Sequence, residues 1–215
     1  MISKKEVGVI AISIILFSLL LVFNNQKISY NEIPKSLILV STIILISIFA
    51  KKITALKLDM EIEHKVWNFQ RYWVTTGSKL PFPLPMGILF PTLLAIISGG
   101  WIKFLTFMQF ESKALPSKVA KKYGSKRFSN VSEWDDALIG FYGILAIMIL
   151  ATLAKYLMSF DFFQFPELSK YALYFAAYNM IPFSKLDGNK IFFGSRPLYV
   201  FTLVLLAITT LIVIF

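Results

Sequence analysis

The sequence predicts an all-α polytopic membrane protein of about five to six apolar helices. Three observations carry this. Hydrophobic residues make up 57% of the 215 residues and charged residues only 16%, with a mean hydropathy of +0.69. Soluble domains run nearer half apolar and a quarter charged. The apolar residues fall in long runs, and no polar segment between them is long enough to bury a core of its own. The cations lie mostly between those runs, where they meet anionic headgroups and help set topology.

The elements follow in order. Val7 to Phe23 is apolar over about seventeen residues, the lower limit for a spanning helix. Its end, Val-Phe-Asn-Asn-Gln, lacks the small residues of a cleavage site and reads as an uncleaved anchor. Ile33 to Ala50 predicts a second span, with Pro34 in the first turn, where a missing N–H costs nothing. Lys51 and Lys52 mark its interfacial end. From Lys51 to Trp73, apolar residues at Ile53, Leu56, Met60, Val66, Phe69 and Trp73 predict a helix continuing out of the hydrocarbon. Lys57–Glu61 and Glu61–Lys65 would be its i, i+4 ion pairs.

Lys79 to Pro91 holds four prolines and cannot be helical throughout. Met86 to Phe110 is apolar enough to span, but Pro91, Gly99, Gly100 and Lys103 interrupt it. A re-entrant or extended insertion is the other reading, allowed where protein or a wet cavity covers the backbone. Glu111 to Trp134 is a basic loop carrying Lys118, Lys121, Lys122, Lys126 and Arg127, read as a solvated segment near headgroups. Ala137 to Met158 predicts a span with Gly140 and Gly143 at small-residue spacing. Leu168 to Ile181 is a shorter helix ending at Pro182, and Leu198 to Phe215 is the last span. The chain is expected to form one membrane domain over 1–215: two spans in 1–50, a core in 51–195 and a final span in 196–215. The cations divide almost evenly between the two sides, so the positive-inside rule gives no orientation.

Several chemistries are excluded. The absence of cysteine removes disulfides, thiol catalysis and Cys-based metal sites. The formal charge of +10 comes with no nucleic-acid motif, so the bilayer is the expected partner and nucleic acid is not. His64 is the single histidine.

The polar break Asn179-Met-Ile-Pro-Phe-Ser-Lys-Leu-Asp-Gly188 stands between apolar helices. As a structural element it is a turn, with Pro182 ending one helix and Lys185 and Lys190 at the interface. As a functional element it places Asp187 at a helix break at membrane depth, where acids are costly and point to function. The pattern of Asn179, Pro182, Leu186, Asp187 and Gly188, followed by an apolar helix, resembles the later motif of the site-2 protease family of intramembrane zinc metalloproteases. Upstream, Met60-Glu-Ile-Glu-His64 resembles that family's HExxH with the first histidine replaced by methionine. Gly143 falls where its glycine-led motif is expected, without the proline and asparagine. Gly99-Gly-Trp-Ile-Lys103 is similar to a segment that several members place between the motifs.

The resemblance implies a site-2-protease-like core from about Leu56 to Ser195. It implies Asp187 and His64 as zinc ligands and Glu61 as general base if the chain is active. Met60 offers a thioether, a soft ligand unsuited to zinc, which leaves the site one ligand short of the usual three. The expected function is therefore a non-catalytic relative that binds membrane partners such as transmembrane segments, with no cofactor. An active metalloprotease with an altered ligand set, holding zinc, is the first alternative. A small transporter or scaffold is the second. The expected location is the cell membrane, as a multi-pass protein.

Overall fold

The structure, a computed structural model, describes residues 3–24, 27–28, 30–71, 79–115, 132–158 and 167–215. The cationic patch from Lys118 to Arg127 and the end of the 51–73 segment lie outside the described residues. The chain is mostly helical. Helices α1 (Lys4–Val22), α2 (Ile33–Lys57), α4 (Glu133–Met158) and α7 (Arg196–Ile214) are long and apolar enough to cross a membrane. Helices α3 (Met86–Ile97), α5 (Glu167–Asn179) and α6 (Asp187–Gly194) are shorter. A 12-residue helix such as α3 is about 18 Å long, well short of the roughly 30 Å hydrocarbon core. Met86 to Phe110 is thus a short helix followed by irregular and then extended chain, and not a single span.

Among the described residues, short strands accompany the helices in three two-stranded sheets. Strand β1 (Phe23–Asn24) pairs antiparallel with β2 (Lys27–Ile28). Strand β3 (Met60–Val66) pairs with β6 (Met108–Ala114), and β4 (Phe69–Arg71) pairs antiparallel with β5 (Lys79–Leu84).

The strand over 60–66 corrects the predicted helix over 51–73. Helix α2 stops because Asp59 takes φ 55°, a left-handed conformation that aspartate tolerates better than most residues. Beyond it, Met60, Ile62 and His64 are buried, while Glu61 is exposed and Glu63 half-buried. That is the two-residue period of a strand with one covered face. The i, i+4 pairs expected of Glu61 with Lys57 and Lys65 required a helix and lose their basis.

The chain divides into two compact units. The first comprises 1–40 and 64–109. Its core includes Phe17, Trp67, Phe104 and Phe107, with Phe17 and Phe107 edge-to-face at 6.0 Å. One residue organises its middle. The Trp67 backbone N–H donates to the Phe107 carbonyl at 2.8 Å, and the Trp67 backbone carbonyl accepts from the Gly87 N–H at 2.9 Å. Gly87 must be glycine, since a Cβ there would lie 2.2 Å from the Phe107 carbonyl oxygen.

The second unit comprises 41–63 and 110–215. Met60 is fully buried there with Ala55, Ile62, Phe110 and Ile139. Helices α5, α6 and α7 pack on α4. Most of the outward face of α7 stays exposed, including Val200, Phe201, Val204 and Ile208. An apolar helix with so little protein cover suits a lipid environment.

Candidate functional site

In the second unit the site forms where α5 gives way to α6. Asn179 closes α5 with its side-chain N–H on the Phe175 carbonyl at 2.8 Å. Pro182 stands exposed in the turn, and Leu186 is buried immediately before α6. Ser184 takes φ 55°, and its carbonyl accepts from the Asn189 side chain. Gly188 lies against the end of α5: a Cβ on it would sit 2.1 Å from the Met180 carbonyl oxygen. The motif residues therefore have local structural reasons to be what they are.

Their combined effect is to set Asp187 in the interior, at the first position of α6. Its Oδ2 lies 2.5 Å from the Lys51 Nζ, with both side chains almost fully buried. The Lys51 stem reaches this point along Gly143 of α4. A Cβ at Gly143 would stand 2.5 Å from Lys51 Cε and 2.7 Å from Cγ. Gly140, one turn earlier on α4, lies against α6, where a Cβ would stand 3.3 Å from Ile191 Cγ1. The small-residue spacing thus admits a lysine stem and a short helix.

A second pair adjoins this one. Lys190 Nζ donates to the Phe110 carbonyl at 2.7 Å and lies 3.3 Å from Asp136 Oδ2. The same ammonium is 3.4 Å from the centroid of the Phe110 ring, and the Lys51 ammonium is 5.4 Å from it. Asp136 also accepts from the Ser112 hydroxyl. Burial pushes the Lys190 ammonium below its usual pKa, against the opposing pull of Asp136 and Asp187. Two ammonium groups lie over one aromatic ring, each paired with a carboxylate, and the four formal charges cancel.

His64 belongs to the first unit and has a different partner. Glu6, in the first turn of α1, is buried, and its Oε1 lies 2.8 Å from His64 Nδ1. The same oxygen accepts from the His64 backbone N–H at 3.2 Å. Ser3 caps α1 by accepting from the Glu6 N–H, which fixes the turn that carries the carboxylate. Met60, Glu61 and His64 lie on a strand. Residues four apart on a strand are about 13 Å apart along the chain, against about 6 Å along a helix. The helical face that HExxH requires is not formed by these residues.

The donor chemistry can be weighed against zinc. Among the described residues, no three His, Asp or Glu side chains converge as a metal cluster would need. Asp187 has an ammonium on one oxygen and a second lysine close by, so the local charge does not favour a dication. Asp187 Oδ1 is buried without a hydrogen-bond partner among the described residues, the one unsatisfied acceptor of the cluster. These residues fit an internal ion-pair network better than a zinc centre.

Four participants went unrecognised in the sequence. Lys51 and Lys190 read as interfacial lysines, and Asp136 and Glu6 stand in no motif of the sequence. A signal was present for two of them: Glu6 is the first acid in the chain with none after it until Glu32, and Lys51 directly follows an apolar run. No family model matches the sequence, and no curated protein or solved structure matches it either.

Proposed function

We propose that this chain is a multi-pass integral membrane protein with a non-catalytic core related to the site-2 proteases, and that it acts by binding membrane partners. One observation carries the reading. Asp187, the position that would ligate zinc in that family, holds the ammonium of Lys51 at 2.5 Å in a buried setting. A lysine supplied by the chain takes the place of the cation, and Gly143 leaves room for its stem. His64 is similarly engaged by Glu6. The partners are apolar transmembrane segments or lipid, met by exposed apolar faces such as that of α7. No nucleic acid and no cofactor enters this reading.

The test is the zinc content of the detergent-purified chain, with Asp187→Ala and His64→Ala beside it. The expected result is no stoichiometric zinc in any of the three. Stoichiometric zinc that both substitutions abolish would overturn the proposal and favour the active metalloprotease with an altered ligand set.

A further inference from the structure

The second unit presents two outward helix faces of opposite character. On α7 the exposed face is hydrocarbon, with Val200, Phe201, Val204 and Ile208 among its residues. On α5 the residues turned away from the core are Glu167, Lys170, Tyr171, Tyr174, Ala177 and Tyr178. The leucines and the phenylalanine of α5 are all buried. The Lys170 ammonium lies 5.8 Å from the centroid of the Tyr174 ring, and the rings of Tyr171 and Tyr174 meet edge-on at 6.2 Å.

This polar face lies beside the middle of a membrane-length helix. Ser169 Oγ of α5 donates to the Ala151 carbonyl of α4 at 2.8 Å. Beyond the other end of α5, the Met180 carbonyl abuts Gly188, and the neighbouring Asp187 abuts Gly140 of α4. Ala151 and Gly140 bracket the centre of α4 and stand about 16 Å apart along it. That is the inner half of a hydrocarbon core roughly 30 Å thick. Tyr174 is 40% exposed at this level. Among the described residues, no donor or acceptor meets its hydroxyl and no carboxylate pairs with Lys170.

Chemistry selects the occupant. Lipid tails offer a hydroxyl or an ammonium no partner, and ionisable groups at this depth face protein or a wet cavity. A second copy brings like to like: a two-fold axis along the membrane normal sets the two Lys170 ammonium groups close together, and they repel. A carboxylate on a neighbouring helix satisfies both groups, pairing with the ammonium and accepting from the Tyr174 hydroxyl. We propose that the outer face of α5 docks a transmembrane segment of another protein that carries an aspartate or glutamate at the level of Lys170 and Tyr174. The proposal rests on the partner-binding reading and on α4 spanning the bilayer, but not on the state of Asp187.

The full chain is reconstituted into phosphatidylcholine vesicles with poly-leucine transmembrane peptides that carry a central glutamate, glutamine or leucine and a diazirine one turn away. After irradiation the adducts are mapped by mass spectrometry, with the outer face of α7 as the reference for ordinary apolar contact. The glutamate peptide is expected to label α5 several-fold more than the leucine peptide does, and several-fold more than it labels α7. Lys170→Leu should erase that preference, Lys170→Arg should keep it, and Tyr174→Phe, which retains the ring, should weaken it. Both side chains are exposed, so the fold should survive, and thermal unfolding of each variant checks this. Equal labelling of α5 by the glutamate and leucine peptides, or a preference that persists in Lys170→Leu, would overturn the proposal. So would chain dimers in detergent that Lys170→Leu abolishes, since the occupant would then be a second copy. A diazirine-bearing phosphatidylcholine that labels α5 as strongly as α7 and is not displaced by the glutamate peptide would overturn it in favour of lipid. Glutamate peptide bound at α7 alone sinks this site and leaves the partner-binding reading standing, whereas no adduct from any peptide sinks both. Alkaline carbonate extraction is run first: a chain that it strips from the vesicles does not span, and the α5 site falls with that reading.

Discussion

The two units each bury an acid against a base, and they do so in different ways. In the first, Glu6 meets His64 through a single oxygen that serves both the imidazole and a backbone N–H. In the second, Lys51 and Asp187 form one of two adjoining pairs, joined by Lys190, Asp136 and the Phe110 ring. An imidazole can keep such a contact as a neutral hydrogen bond. A buried lysine–aspartate pair loses much more when one member goes, because the other is left as an uncompensated charge. The contrast teaches that the Lys51–Asp187 pair should dominate stability, although the His64 contact is equally well buried.

The largest expected effect follows. Lys51→Ala and Asp187→Ala should each destabilise the detergent-solubilised protein by about 3–5 kcal/mol, read from denaturant or thermal unfolding. The double replacement Lys51→Met with Asp187→Leu should recover most of that loss, since apolar pairs of similar volume often replace buried ion pairs without cost. Losses under about 1 kcal/mol for both single variants would erase the difference between the units. Glu6→Ala should cost less, about 1–3 kcal/mol, the range for a buried group left without its hydrogen bond. Glu6→Gln keeps an acceptor and should cost about 1 kcal/mol. A loss equal to that of Lys51→Ala would mean that the imidazole pair is ionic as well.

Glycine substitutions sharpen the second unit. Gly143→Ala should destabilise by about 1–3 kcal/mol, because its methyl meets the root of the Lys51 stem and not only its flexible end. Gly140→Ala meets Ile191 at 3.3 Å and should stay within about 1 kcal/mol of the parent. Thermal unfolding of the two variants side by side checks the order.

The smallest effect concerns pH. The folded pKa of Lys190 is below its usual 10.5, so folding releases a proton in the window just under that value. The unfolded chain then binds more protons than the folded one, and stability rises with pH across the window. Lowering pH through the folded pKa removes that contribution. Lys190→Met should flatten this part of the stability–pH curve; an unchanged slope would assign it to other groups.

Much of the helical framework was legible in the sequence because apolar runs report length directly. The ends of α1, α2, α4 and α7 fall within a few residues of their predicted positions, apart from the longer C-terminus of α2. The strand at 60–66 was not, because Ile53, Leu56 and Met60 continue a helical stripe into it. The alternation of Met60, Ile62 and His64 against Glu61 and Glu63 carried the opposite signal. The break at Asn179–Gly188 was visible as a turn with a buried acid, but its partner was not. Lys51 lies far away in sequence, and pairing across that separation leaves no local pattern. The same holds for Glu6 and His64.

The two hydrogen bonds of Trp67 have a further consequence. They fasten Gly87 and Phe107 to one residue, so the chain between them leaves and returns at a single anchor. The ends of that loop stay in place whatever its length. Doubling a flexible loop costs only about 0.6 kcal/mol in closure entropy. Residues inserted at its Gly99–Gly100 turn, beyond the end of α3, are therefore expected to shift thermal unfolding little, whereas a side chain at Gly87 should unfasten the clasp itself and lower the unfolding temperature clearly.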